Sequence, residues 1–147
     1  RFSIKPFPVV TYDGIYTFRS VANSNYLSSG NRNSDLSFSE EDVRNSAQFI
    51  IRKGMSCLSY TIQAVSNQFF ITPSPNGNTL YLDEKGQPGD WGEFSIIKSQ
   101  DSDAVLLQHY GSKKYIRTDT YPSSPFLVQG DEGTFGDRIR FIINKII

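Results

Sequence analysis

The chain repeats itself three times, and that self-similarity constrains its fold more tightly than composition or any single motif. The units open at Tyr16, Tyr60 and Val105, a period of about 45 residues. In each unit an aromatic residue follows ten positions after the opening: Tyr26, Phe70 and Tyr115. A third run follows at Leu36-Ser37-Phe38-Ser39, Leu80-Tyr81-Leu82-Asp83 and Phe126-Leu127-Val128-Gln129, and a fourth begins at Phe49, Phe94 and Phe141. Each run is short and rich in β-branched and aromatic residues. Gly, Asn, Pro, Ser and Asp clusters separate them, so the runs read as strands and the clusters as turns. Asn76-Gly77 and Lys85-Gly86 carry hairpin signals. Polar–apolar alternation in Leu36-Ser37-Phe38-Ser39 and Leu80-Tyr81-Leu82-Asp83 buries one face of each strand. Helical periodicity is almost absent, and residues 39–42 read as a polar loop.

Four strands in each of three units could form a sandwich, a three-bladed propeller or a trefoil. Propellers generally need at least four blades, and sandwiches carry no threefold sequence symmetry. A trefoil closes six strands into a barrel and caps it with three hairpins, which removes exposed sheet edges. The expected fold is therefore all-β, a β-trefoil of three four-strand repeats with pseudo-threefold symmetry. A length of 147 residues fits one domain, residues 1–147, with repeats at about 14–53, 58–98 and 103–147. Tyr26, Phe70 and Tyr115 are expected at equivalent core positions, as are Phe49, Phe94 and Phe141.

Hydrophobic residues make up 37% of the chain, with 11 Phe and 8 Tyr, enough for a core that needs no disulfide or metal staple. A formal net charge of +0 and a pI near 6.8 speak against nucleic acid as a partner. Lys113, Lys114 and Arg117 form the one local basic cluster. With Asp119 close behind, it reads as solvated surface. Cys57 is the sole cysteine, so no disulfide framework exists, and no Asn-x-Ser/Thr sequon occurs. Both features point to the cytoplasm, or to export without a conventional signal. No segment approaches the ~20 apolar residues of a membrane span. The chain opens Arg1-Phe2-Ser3 without a signal-peptide pattern; a processed N-terminus and an excerpt of a longer chain are both open.

His109 is the only histidine and occupies the slot filled by Ser20 and Ala64 in the other repeats. Nothing in the sequence brings it to Cys57, so no nucleophile pair or His-based metal site is expected. The carboxylates fall in turn clusters, where they ordinarily meet water or backbone. Phosphate-loop, nucleophile-elbow and zinc-protease motifs are absent. The expectation is a protein that is not an enzyme and needs no cofactor.

What repeats along with the core is a polar segment before each last strand, holding Asn45, Asp90-Trp91 and Asp137. Just upstream, the outward positions of the third strand are read as Ser37 and Ser39, Tyr81 and Asp83, then Leu127 and Gln129. A carboxylate or amide beside an exposed aromatic suits a neutral sugar. The polar group takes hydroxyl hydrogens while the ring covers the apolar C–H face. Trp91, flanked by Gly and Asp in a loop, is either the stacking surface or a lid over the barrel end.

These residues resemble the β-trefoil lectins of mushrooms, including the lectin module joined to pore-forming haemolysins. Gly14-Ile15-Tyr16 matches the opening of their repeat, and Gly89-Asp90-Trp91-Gly92-Glu93-Phe94 and Gly136-Asp137-Arg138-Ile139-Arg140-Phe141 match its closing turn. The Gln-x-Trp signature of ricin-type trefoils is replaced by Ala47-Gln48-Phe49, Gly92-Glu93-Phe94 and Ile139-Arg140-Phe141. The resemblance implies shallow, metal-independent sites for galactose-type sugars (galactose, N-acetylgalactosamine, lactose), one per repeat. Repeats 2 and 3 are the stronger, because repeat 1 has Asn45 in place of an Asp and lacks an aromatic beside Ser39. By the same resemblance Asp90 and Asp137 accept sugar hydroxyls, Asp83 and Gln129 line the wall, Tyr81 or Trp91 stacks, and Arg117 donates. The implied partners are glycans or glycoproteins, with avidity supplied by several sites or by a homodimer. The same fold also hosts protease inhibitors and interleukin-1-like cytokines, which are the rival readings.

Overall fold

The computed structural model describes residues 11–29, 36–56, 58–85, 91–100, 102–119 and 124–147, apart from the side chain of Asn45. Among them are twelve strands: β1 (Gly14–Ser20), β2 (Tyr26–Ser29), β3 (Leu36–Glu40), β4 (Phe49–Lys53), β5 (Tyr60–Ala64), β6 (Phe70–Pro73), β7 (Leu80–Asp83), β8 (Phe94–Lys98), β9 (Val105–His109), β10 (Tyr115–Arg117), β11 (Phe126–Val128) and β12 (Phe141–Lys145). One short helix, α1 (Glu132–Phe135), interrupts the last connection. No helix of the described residues is long and apolar enough to cross a membrane.

Six strands close on themselves. β1 pairs with β12 and β4, β4 with β5, β5 with β8, β8 with β9, and β9 with β12, all antiparallel. The remaining strands form three hairpins, β2–β3, β6–β7 and β10–β11. A closed ring of six strands capped by three hairpins is a β-trefoil. The threefold symmetry reaches individual hydrogen bonds. Ser20, Ala64 and His109 end equivalent strands, and their N–H groups donate to the carbonyls of Asn25, Phe69 and Lys114 at 2.9, 2.8 and 2.8 Å. Three residues in those turns, Ser24, Gln68 and Lys113, share φ 63°. That left-handed conformation is uncommon for residues other than glycine, and here it recurs once per repeat.

The interior follows from the alternation of strand side chains. Phe18, Ile62 and Leu107 at one level and Phe49, Phe94 and Phe141 at another are all buried. Phe38 of the first hairpin stacks on Phe141 with centroids 5.1 Å apart. The expectation for the three fourth-strand phenylalanines therefore holds. That for Tyr26, Phe70 and Tyr115 does not: they are equivalent but only half-buried, and their neighbours Leu27, Ile71 and Ile116 enter the core. The reading of β11 also shifts by one residue. Leu127 pairs with Ile116 and is buried, so Phe126 and Val128 take the outward positions, and Gln129 lies exposed one step past the strand. A one-residue slip exchanges the two faces of a strand.

Candidate functional site

Repeat 1 forms a depression between its hairpin, the segment entering its last strand, and the first turn of the next repeat. It is an open hollow of about 410 Å³ lined by Ser28, Ser29, Ser37, Ser39, Glu40, Ser46 and Ser66. Backbone bonds define the equivalent positions. Val65, Tyr110 and Val21 donate to the carbonyls of Gln48, Glu93 and Arg140, so Ser46, Trp91 and Arg138, each two residues earlier, correspond. Hairpin register aligns Ser28, Thr72 and Arg117, then Ser37, Tyr81 and Phe126. Glu40, Asp83 and Val128 pair with Tyr26, Phe70 and Tyr115. The three repeats thus share a frame of equivalent positions and differ in the chemistry they place there.

Repeat 1 is a bed of hydroxyls. Ser29 Oγ lies 2.6 Å from Ser66 Oγ, and Ser37 Oγ lies 2.7 Å from Ser39 Oγ.

Repeat 2 places Tyr81, Asp83 and Trp91 around the equivalent frame. Tyr81 donates its hydroxyl to Asp83 Oδ2 at 3.1 Å, and Lys85 N–H donates to Asp83 Oδ1 at 3.1 Å. Desolvation first, and then Asp83, raise the Tyr81 pKa above its ordinary value, which keeps the phenol protonated as a donor. Trp91 is 40% exposed. Its ring meets the edge of His109 at 5.3 Å and 90°, and its carbonyl lies 2.8 Å from His109 Nε2. A carbonyl only accepts, so Nε2 carries the proton. Nδ1 then accepts from Ser112 Oγ–H at 2.7 Å and N–H at 3.2 Å. Sequence reasoning set His109 aside, yet it is the fully buried post that fixes Trp91. The one trace in the sequence was its occupancy of a slot held elsewhere by Ser20 and Ala64.

Repeat 3 fills its frame with cations and rings. Arg117 forks onto Asp119 at 3.0 and 3.2 Å and lies 5.2 Å from both Phe126 and Phe135. It is part-buried, not the solvated residue expected. Arg138 lies 5.5 Å from the Phe135 ring. Asp137, 61% exposed at its side chain, accepts from Arg140 Nη1 at 3.1 Å. No hydrogen bond or ring contact joins Asp137 or Gln129 to Arg117. Asp90 and the side chain of Asn45 lie outside what the structure describes. No group of three or more potential metal ligands is assembled among the described residues.

Beside repeat 3, Glu132 receives Arg140 Nε at 2.7 Å, the Ser99 hydroxyl, and Gln100 N–H at 3.3 Å. The Ser99 hydrogen bond first, and then Arg140, hold its pKa below the ordinary glutamate value of 4.5. The charged form is favoured by folding, so the contribution is full above the unfolded pKa and is lost as pH falls through the lower folded one. We expect the Glu132 carboxyl carbon, followed by NMR, to titrate below the ordinary glutamate range, and to move back up towards it in Arg140→Gln.

No protein-family model matches the chain, and no curated protein matches it. Solved structures do match. The Polyporus squamosus lectin, bound to the epitope Neu5Acα2-6Galβ1-4GlcNAc, superposes with TM-score 0.75 at 15% identity over 93% of this chain. The present chain spans only 50% of that one. The Macrolepiota procera ricin B-like lectin in complex with lactose gives TM-score 0.74 at 15% identity, covering 95% of this chain and 100% of that one. A salivary protein of Culex quiquefasciatus, from a Cysteine and Tryptophan-Rich family, gives TM-score 0.74 at 16% identity, covering 91% and 94%. All three share the trefoil; at these identities the likeness is one of fold.

Proposed function

We propose that this protein is a lectin that binds galactose-type sugars without transforming them, and that repeat 2 holds its principal site. The observation that carries the reading is the grouping of Trp91, Tyr81 and Asp83 at positions that in repeat 1 border an open hollow. Trp91 offers a partly exposed ring fixed from behind by His109. Asp83 offers a carboxylate oriented by Tyr81 and Lys85. Galactose carries an axial O4, which leaves one face of its ring an uninterrupted C–H surface for an indole and turns O4 and O6 towards a carboxylate acceptor. The fold likeness adds weight, since the sugars named for the Macrolepiota and Polyporus lectins both contain galactose. The partners are then glycans or glycoproteins. A shallow site of this kind binds lactose with Kd of roughly 1 mM, about −4 kcal/mol, and several sites or a homodimer supply avidity.

The test is a lactose titration with Trp91→Ala and Asp83→Asn beside the wild type. Each variant should weaken binding at repeat 2 by at least about tenfold, near 1.4 kcal/mol, with the folded spectrum kept. A glycan array silent on every galactoside, or a lactose isotherm that neither variant changes, removes the reading.

A further inference from the structure

A second hollow, of about 330 Å³, lies off the threefold frame, where the β8–β9 turn meets the β11–β12 connection. Ile97, Leu106 and Tyr115 give it apolar surface; Lys98, Gln100, Asp131 and Glu132 give it polar groups. One wall comes from the segment before the last strand of repeat 3, which folds into the helix α1. That helix is tied across the gap. Glu132 accepts from Ser99 and Gln100 on one side and from Arg140 on the other, and its ion pair with Arg140 is well shielded, the side chains being 13% and 16% exposed. Asp131 caps α1, its Oδ1 taking Thr134 N–H and Oγ–H at 2.8 Å each. The wall is thus built by specific bonds.

We propose that this hollow binds a neutral hexopyranose, as a second carbohydrate site distinct from the repeat 2 site. A sugar hydroxyl donates and accepts at once, and the lining answers both needs. The Gln100 side-chain amide donates; Asp131 accepts. Tyr115, Ile97 and Leu106 cover the C–H face. Charge selects against an acidic sugar. Arg140 is paired with Glu132 and Lys98 Nζ lies 3.8 Å from Asp103 Oδ1, so no net positive charge is left to meet a sugar carboxylate. The volume lies at the lower end of ligand pockets, roughly 300–1,000 Å³, and suits one ring of a glycan.

The idea rests on the lectin reading for its ligand class but not on the repeat 2 site, and one titration separates the two. Lactose is added to the ¹⁵N-labelled protein while the amides of Gln100 and Gly133 and the indole N–H of Trp91 are followed. Both groups should shift. Gly133 lies on the wall, and a Cβ there would meet only Asp131 Oδ1 at 3.6 Å, so Gly133→Tyr fills the hollow without a backbone clash. In that variant the Gln100 response should fall at least tenfold while the Trp91 response persists; Trp91→Ala should give the reverse. Gln100→Ala, an exposed change, should weaken the hollow alone. Wild-type Gln100 and Gly133 amides unmoved at tens of millimolar lactose overturn the second site whatever Trp91 does. Shifts there with Trp91 silent would instead leave the second site standing and overturn the repeat 2 assignment.

Discussion

Phe94→Ala is expected to lower the stability of the folded protein by about 3–5 kcal/mol, the usual cost of truncating a fully buried aromatic. For a chain of this length that corresponds to a fall in Tm of roughly 10–15 °C. Phe94 has no exposed surface, and its ring lies 5.6 Å from His109. Phe49 and Phe141 occupy the equivalent places and are as deeply buried, so Phe49→Ala and Phe141→Ala should lose similar amounts in urea denaturation. Function separates Phe94 from Phe49. Removing Phe94 takes a wall from His109, and His109 fixes Trp91, so Phe94→Ala should weaken lactose binding even where the protein is fully folded. Phe49 instead packs against Phe18 at 5.9 Å, and its truncation should leave repeat 2 affinity unchanged. A stability loss under about 1.5 kcal/mol would mean that the barrel core closes over the missing ring far more easily than cores generally do. Equal lactose affinity in both variants would break the proposed link from core to site.

The parts of this arrangement that were legible in the sequence are those a local rule can carry. A constant spacing placed Phe49, Phe94 and Phe141 at one level of the barrel, because equivalent strands in a closed threefold barrel must contribute equivalent residues. The face assignment failed where that rule has no purchase. Phe126-Leu127-Val128 is apolar throughout, so period-two alternation cannot fix its phase, whereas Leu36-Ser37-Phe38-Ser39 shows its phase plainly. Tyr26, Phe70 and Tyr115 misled for a related reason: large aromatic residues at constant spacing look like core, yet Leu27, Ile71 and Ile116 beside them are the residues fully enclosed. At the candidate site Tyr81, Asp83 and Trp91 were legible as a polar–aromatic set. Their shared frame needed the hydrogen-bond register, which joins residues far apart in the chain. The fate of Arg117 was also hidden. Its partner Asp119 is two residues on, the same-face spacing of a strand, but the flanking rings of Phe126 and Phe135 come from later segments.

Glu93 shows how much such long-range placement conceals, and Glu93→Ala carries the second large expected effect. The side chain has no exposed surface, and a carboxylate buried so deeply needs donors in place of water. They come from 34 to 38 residues earlier: Met55 N–H at 3.0 Å on Oε2, Ser56 N–H at 2.9 Å on Oε1, and the Ser59 hydroxyl, also on Oε1. The carboxylate therefore organises the connection between repeats 1 and 2. That connection also carries backbone strain, since Leu58, 63% exposed, sits at φ 56°, a conformation costly for a residue with a Cβ. Hydrogen bonds to a charged acceptor contribute roughly 1.5–3 kcal/mol each. The loop can turn part of its amides to water once the acceptor is gone, so the net loss should be about 3–4 kcal/mol. Glu93→Gln keeps the shape but sets an amide NH₂ against donors, and should fall between alanine and wild type. Gly54→Ala attacks the same contact from the other side, because its Cβ would lie 2.3 Å from Glu93 Oε1. Urea denaturation measures the loss, and hydrogen exchange locates it: the Met55 and Ser56 amides should lose protection in Glu93→Ala while those of β12 keep theirs relative to global unfolding. Unchanged exchange at Met55 and Ser56 would show that the loop keeps its shape without the carboxylate, and Glu93 would then be no more than a filled space beneath it.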